Sequence, residues 1–265
     1  MAQPLNRRTL LARGAATIAT LSFLSVGAAH GQAPAFAAAP TPDEVFRDPD
    51  IPVLGNPDGD VTIVEFFDYQ CPYCKMSHPV LTDAVETDGN VRLVMKDWPI
   101  FGNSSLYASR LMLGSAGTPD YEAGLSAVMK TQARLTKQEV DAALVEAGLD
   151  PAALLERYGK RRESVEALID RNSKQALAFR LSGTPAFVIG QRVYGGALDG
   201  NGFAQAIADA RSECAPRRLP GAGSLSARGP RHHLLRPAPR KPAAGSVAST
   251  SAMRQWAHIS PTIHC

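Results

Sequence analysis

Val61-Thr-Ile-Val-Glu-Phe-Phe67 is a nearly unbroken apolar run of β-branched and aromatic residues, the pattern of a strand covered on both faces. A helical pattern follows from Cys71 to about Asp88 with Pro79 inside it, where a kink is expected. Val91 to Trp98 then reads as a second strand, ended by Pro99. Strand, helix and strand in this order predict a parallel crossover unit. From Asn103 to about Ser182 the period becomes helical throughout. Within that block Thr136 to Glu139 forms a capping box, Gly148 ends its helix, and Asp150-Pro151 supplies the next N-cap and first-turn proline. A longer amphipathic helix from Arg161 to Arg180 returns the chain toward the sheet. Gly183 to Gly190 gives a short strand, Arg192 to Tyr194 another, and Asn201 to Arg211 a closing helix. No internal repeat is visible.

The flanks differ from this middle. Residues 34–60 are rich in Pro, Asp and Gly and end in Asn56-Pro57-Asp58-Gly59, which predicts an extended N-terminal arm closed by a turn. Residues 1–33 carry Arg7, Arg8 and Arg13 before an uncharged stretch of small and apolar residues from Gly14 to Ala29. That is a signal-peptide pattern, with cleavage expected between about residues 31 and 37. Arg7-Arg8-Thr-Leu-Leu resembles a twin-arginine signal, and the general export route accounts for it equally well. Either route delivers the mature protein to the periplasm, where disulfides persist. Residues 212–265 hold 7 Pro, 7 Ser and 4 Gly with one aromatic residue, Trp256, so a disordered tail is expected.

Charge sharpens the division. The net charge of +3 hides 17 basic and 24 acidic residues in 34–211 against 8 and 1 in 212–265. The pI of about 8.7 is therefore no sign of nucleic-acid binding by the folded part.

The chemistry is carried by Cys71-Pro72-Tyr73-Cys74 at the start of the first long helix. Unpaired N–H groups at a helix N-terminus stabilise an anion, so Cys71 is the expected nucleophilic thiolate. Cys74, one turn on, is placed to resolve a mixed disulfide. It needs a proton acceptor, and Glu65, six residues before Cys71 and flanked by Val64 and Phe66, is the candidate; an edge carboxylate facing water is the alternative. Metal binding is the rival use of Cys-x-x-Cys, but a structural site requires a second ligand pair. His78 is on the same helix, while Cys214 and Cys265 fall in the expected tail, so no metal site is assigned. The redox-active pair Cys71–Cys74 requires no further cofactor.

Glu65-Phe-Phe-Asp-Tyr-Gln-Cys-Pro-Tyr-Cys-Lys75, Pro79 and Gly183-Thr184-Pro185 resemble the thioredoxin superfamily, and within it the DsbA family of exported thiol-disulfide oxidoreductases, over about residues 45 to 211. Cys-Pro-Tyr-Cys also occurs in glutaredoxins. The 111 residues from Cys74 to Pro185 exceed what a compact thioredoxin or glutaredoxin holds there, whereas a DsbA-like helical insertion fills them.

The resemblance implies an α/β protein, a thioredoxin-like fold with an inserted all-helical domain: 61–102 and 183–211 as the two halves and 103–182 as the insertion. It further implies a cis Thr184–Pro185 bond packed against the cysteines, Thr184 as a backbone docking point for extended substrate beside Pro72 and Tyr73, and Lys96 as the lysine accompanying the buried acid. A surface position is the alternative for Lys96. Strongly oxidising members carry His where this chain has Tyr73, so a less depressed Cys71 pKa and a less oxidising disulfide are expected. The implied partners are reduced, unfolded exported polypeptides and a membrane redox protein that regenerates the disulfide. An oxidase is the first expectation, and an isomerase or reductase of the same fold the alternative.

Overall fold

A computed structural model describes residues 40–132 and 134–214; the expected signal peptide (1–33) and all but the first residues of the expected tail (212–265) lie outside them. The sheet is built on β2 (Val61–Phe67), in which all seven residues are buried as its apolar run requires. Helix α2 (Pro72–Asp88) connects it to β3 (Val91–Asp97), which pairs parallel to β2 from Val61↔Val91 to Phe67↔Asp97. On the other side of β2 lies antiparallel β4 (Ala186–Ile189), followed by β5 (Arg192–Gly195), giving the order β1-β3-β2-β4-β5.

The first strand in that order corrects the expected arm. Residues 34–60 are not simply extended: α1 (Pro42–Phe46) and β1 (Val53–Gly55) lie within them, and β1 adds an antiparallel edge strand to β3. Both elements, five and three residues long, are too short for a periodic pattern to stand out in this segment. Thr41 nonetheless builds a full capping box with Glu44, and the turn at Asn56 closes through Gly59 N–H to Asn56 O at 3.0 Å.

Helices cover both faces. On one, α2 packs against α8 (Gly200–Cys214), and Arg211 clamps Asp60 and Asp88 with distances of 2.6–3.0 Å. Helix α8 extends three residues beyond the expected boundary, so Cys214 is its last residue. On the other face, α1 and α7 (Arg162–Ala178) cover the sheet, with Phe66 meeting Phe179 edge-on at 6.2 Å and the Arg171 guanidinium bridging Asp48 and Asp50. Between β3 and α7 lie α3 (Asn103–Gly114), α4 (Pro119–Met129), α5 (Lys137–Glu146) and α6 (Pro151–Lys160), the helical block that the periodicity predicts. Thr136–Glu139 caps α5 and Asp150 caps α6. Helix α2 runs on through Pro79, which sits exposed. No helix among the described residues is long and apolar enough to cross a membrane.

Gly114 lets α3 cross against the backbone of α6. A Cβ there would sit 2.8 Å from Tyr158 N and Cα, inside backbone contact distance. Because backbone cannot rotate aside as a side chain can, Gly114→Ala is expected to destabilise the protein by about 1–3 kcal/mol, read as a lower denaturation midpoint at unchanged m-value.

Candidate active site

The last residues of β2 run straight into the redox helix. Asp68 holds this junction: its carboxylate accepts from Gln70 N–H (2.7 Å), Phe101 N–H (2.9 Å) and Ser105 O–H (2.6 Å), and its carbonyl accepts from Cys71 N–H (3.1 Å). Gln70 extends the grip into the helical block, donating to Phe101 O and Ser105 Oγ and accepting from Leu135 N–H. Neither residue was singled out from sequence; the turn chemistry of an Asp two residues before Gln70 was the available signal. Asp68→Ala leaves three donors, the Gln70 and Phe101 N–H groups and the Ser105 hydroxyl, without their acceptor, and is expected to lower stability by about 3 kcal/mol, read by thermal or urea unfolding.

Cys71 is the N-cap of α2, with Pro72 at the first helical position where no N–H is needed. The residue is 1% exposed, and its thiol donates to Thr184 O at 3.2 Å. Its pKa is lowered to about 6, first by the neighbouring Cys74 thiol and then by the Thr184 side chain and the N–H groups of Cys74 and Tyr73, against the opposing effect of burial. The Thr184 carbonyl accepts from the Cys71 thiol and so favours the thiol, while the Thr184 side chain works toward the thiolate. Depression of the pKa without a charged neighbour matches the expectation from Tyr73, which stands 59% exposed and brings no cation.

Cys74 is fully buried, and its pKa is driven far upward by desolvation, by its hydrogen bond to Cys71 and by Glu65. The two sulfurs are thus separated in acidity by environment alone. Glu65 is 0% exposed, which removes the water-facing alternative, and burial with the Cys71 charge raises its pKa to about 8. Thr184–Pro185 is cis and places Thr184 against Cys71, as the resemblance implies.

Lys96 is a correction. It is buried at 0% exposure, so the surface alternative fails, but it does not accompany Glu65. In the parallel register Glu65 faces Met95 while Lys96 pairs with Phe66. Alternation therefore turns its ammonium to the opposite face of the sheet, where Asp48, Arg171 and Arg92 act on it and burial lowers its pKa to about 7.

A pair of unequal thiols at the start of a helix, with a buried acid beneath and a cis-proline loop beside, defines a thiol-disulfide oxidoreductase on a thioredoxin-like scaffold. Comparison with known proteins agrees. The thioredoxin family model matches residues 48–209. The thiol:disulfide interchange protein DsbA of Bordetella pertussis is 26% identical over 193 residues, spanning 71% of this chain and 90% of that protein. Among solved structures, a thioredoxin-like oxidoreductase from Silicibacter pomeroyi is 38% identical, covering 65% of this chain and 99% of that one with a TM-score of 0.61. A periplasmic thioredoxin-like protein from Salmonella enterica serovar Typhimurium is 27% identical, covering 64% and 95% with a TM-score of 0.58. The chain belongs to the thioredoxin family, as a thiol-disulfide oxidoreductase of the DsbA type.

Proposed function

We propose that the protein is an exported oxidase, in which the Cys71–Cys74 disulfide is passed to reduced, unfolded polypeptides in the periplasm and a membrane redox partner then restores it. The observation that carries this reading is the environment of Cys71, a helix N-cap whose thiolate is stabilised to a pKa of about 6. Stabilising the thiolate favours the dithiol product, which makes the disulfide an oxidant of its substrates. In the forward step a substrate thiolate attacks Cys71 Sγ, the Cys71–Cys74 bond breaks, and Cys74 leaves as a thiolate that takes its proton from Glu65. A second substrate thiolate then attacks the substrate sulfur of the mixed disulfide and expels Cys71 as thiolate. Thr184 backbone beside the sulfur, with Pro72 and the exposed Tyr73, forms the docking edge for extended substrate. The names of the Bordetella and Salmonella relatives support disulfide exchange and a periplasmic setting.

An isomerase or reductase uses the same site held in the dithiol form. Tyr73 in place of a cationic residue favours it, because a moderate pKa leaves the disulfide only moderately oxidising. One measurement separates the two: the purified protein is expected to equilibrate with glutathione at a potential above that of thioredoxin, about −270 mV, and to be trapped mostly oxidised in cells by alkylation. A potential at or below that of thioredoxin, with mostly reduced cysteines, would replace oxidase by reductase.

A further inference from the structure

Residues 34–211 carry 17 basic and 24 acidic residues, yet the acids avoid the surroundings of the dithiol. Four stretches meet there. Residues 69–82 contain Cys71 and Cys74. Residues 98–119 reach them through Phe101 and Ser105, which bond Asp68 and Gln70. Residues 123–138 are fastened on both sides of the pair. Gln70, just before Cys71, accepts from Leu135 N–H at 3.0 Å, and the Lys75 ammonium, just after Cys74, donates to Val128 O at 2.9 Å and Thr131 Oγ1 at 2.6 Å. Residues 171–198 bring Thr184 against Cys71. Together the four stretches hold nine of the 17 basic residues and none of the 24 acidic ones.

The acids beneath this rim do not offset it. Glu65, Asp68 and Asp97 are buried, and Asp68 already accepts from three donors. Burial raises the pKa of Glu65 to about 8 and of Asp97 to about 7, which reduces their charge near neutral pH. Of the nine cations, Lys75 is held by α4 and five others pair with acids outside the four stretches. Lys130, Arg134 and Arg180 are exposed and form no ion pair among the described residues. Lys130 shares the cleft between α2 and α4 with Glu86 and Glu122, so its field is partly cancelled. Arg134 and Arg180 have no such neighbour in their own stretches.

Arg180 carries a second mark. Among the described residues it is the only non-glycine with positive φ, at 55°, and it closes α7 where Leu181 N–H donates to Ala176 O at 2.9 Å. Glycine is the ordinary occupant of that left-handed position. Strain kept at the edge of a site points to a use for the side chain that causes it. At most about 14 Å of extended chain separates Arg180 from Thr184. Arg134 is joined directly to Leu135, whose N–H bonds Gln70.

We propose that Arg134 and Arg180 make the rim of the dithiol selective for acidic polypeptides, extended substrates with Asp or Glu within about four residues of the reacting cysteine. The proposal rests on the reading that Cys71 exchanges with polypeptide thiols docked along Thr184. Exposed guanidinium–carboxylate pairs add little to affinity in water. Unpaired cations at the mouth of a site act mainly on encounter, so the selectivity appears in the second-order rate and weakens with salt.

Two dithiol peptides, alike except for Glu or Lys beside their cysteines, test this on the full oxidised protein. Each rate is divided by that of the same peptide with a small uncharged disulfide, which removes the effect of flanking charge on the peptide thiols themselves. The Glu peptide is expected to be oxidised about tenfold faster than the Lys peptide at about 0.02 M salt, and at a nearly equal rate at about 0.5 M. Arg134→Gln and Arg180→Gly are each expected to lower the ratio to about threefold, and the double variant to about one. Because glycine suits the backbone at 180, Arg180→Gly should keep or raise the denaturation midpoint, so its lost preference is not a folding defect. Equal normalised rates in the wild type, or a preference that survives the double variant, overturn the proposal. Equal peptide rates beside an affinity for anionic lipid vesicles that the double variant loses would assign the cations to a membrane surface, and overturn it too. An uncharged aromatic disulfide dye keeps the exchange reading separate. Attack by Cys71 of the reduced protein releases the first dye thiolate, and attack by Cys74 on the resulting mixed disulfide releases the second. Both phases beside equal peptide rates remove only the rim, whereas absence of the first phase removes the exchange reading itself.

Discussion

Cys71→Ser is expected to abolish disulfide exchange, lowering the oxidation rate of a reduced substrate by at least about 10³-fold, because a serine hydroxyl cannot enter thiol-disulfide exchange. The exchange is nearly isosteric at a residue 1% exposed, so stability should stay within about 1 kcal/mol of wild type. Cys74→Ser should behave differently. Cys71 still attacks, but nothing resolves the product, so the Cys71 mixed disulfide accumulates and shows as a mass increase. Because the Cys74 thiol is the largest single stabiliser of the Cys71 thiolate, Cys74→Ala should also raise the Cys71 pKa above its value of about 6, seen as a displaced pH midpoint of thiolate absorbance. Labelling at pH 7 followed by peptide mapping provides an independent check. Alkylation at Cys74 ahead of Cys71 would contradict the assignment, since burial holds the Cys74 thiol protonated.

The parts of this arrangement that were legible in the sequence are those fixed by local rules. An unbroken run such as Val61–Phe67 has one stable use, a strand covered twice, and Cys71 four residues after Phe67 can only begin the helix that returns to β3. The capping residues Thr136 and Asp150 marked their helices for the same reason. What escaped depends on register or on very short elements. The resemblance pairs Lys96 with Glu65, but a one-residue step turns a strand side chain to the other face. The Phe66↔Lys96 pairing made that step decisive. Asp97 escaped in the same way. A charged residue just before Trp98-Pro99 reads as the polar end of a strand, and only pairing with Phe67 reveals that it points into the layer holding Glu65. β1 has three residues and borrows its stability from β3, so its own pattern carries almost nothing.

Glu65→Gln should separate stability from catalysis. In the folded protein Glu65 has a pKa of about 8, against an ordinary value of 4.5, because burial penalises its charged form. Between those two pH values the folded state keeps a proton that the unfolded state has released, so this residue makes the wild type less stable as pH rises. Glutamine does not titrate. The variant should therefore be close to wild type near pH 5 and gain on it steadily toward pH 8, by a few kcal/mol at the upper end, about 1.4 kcal/mol per unit being the ceiling. Cys71 contributes with the opposite sign, since its folded pKa of about 6 lies below the ordinary 9.0 and its stabilisation grows with pH over that interval. That contribution is common to both proteins and cancels in the difference. Asp97, raised to about 7, is also common to both and leaves a residual fall of stability with pH in the variant. At the same time the second phase of dye reduction should slow by about 10²-fold or more, the usual effect of removing a positioned acid-base group. Paired urea titrations at pH 5 and pH 8 decide the matter. A stability difference that does not grow with pH would mean that Glu65 is ionised in the folded protein, and that the buried acid cannot serve Cys74.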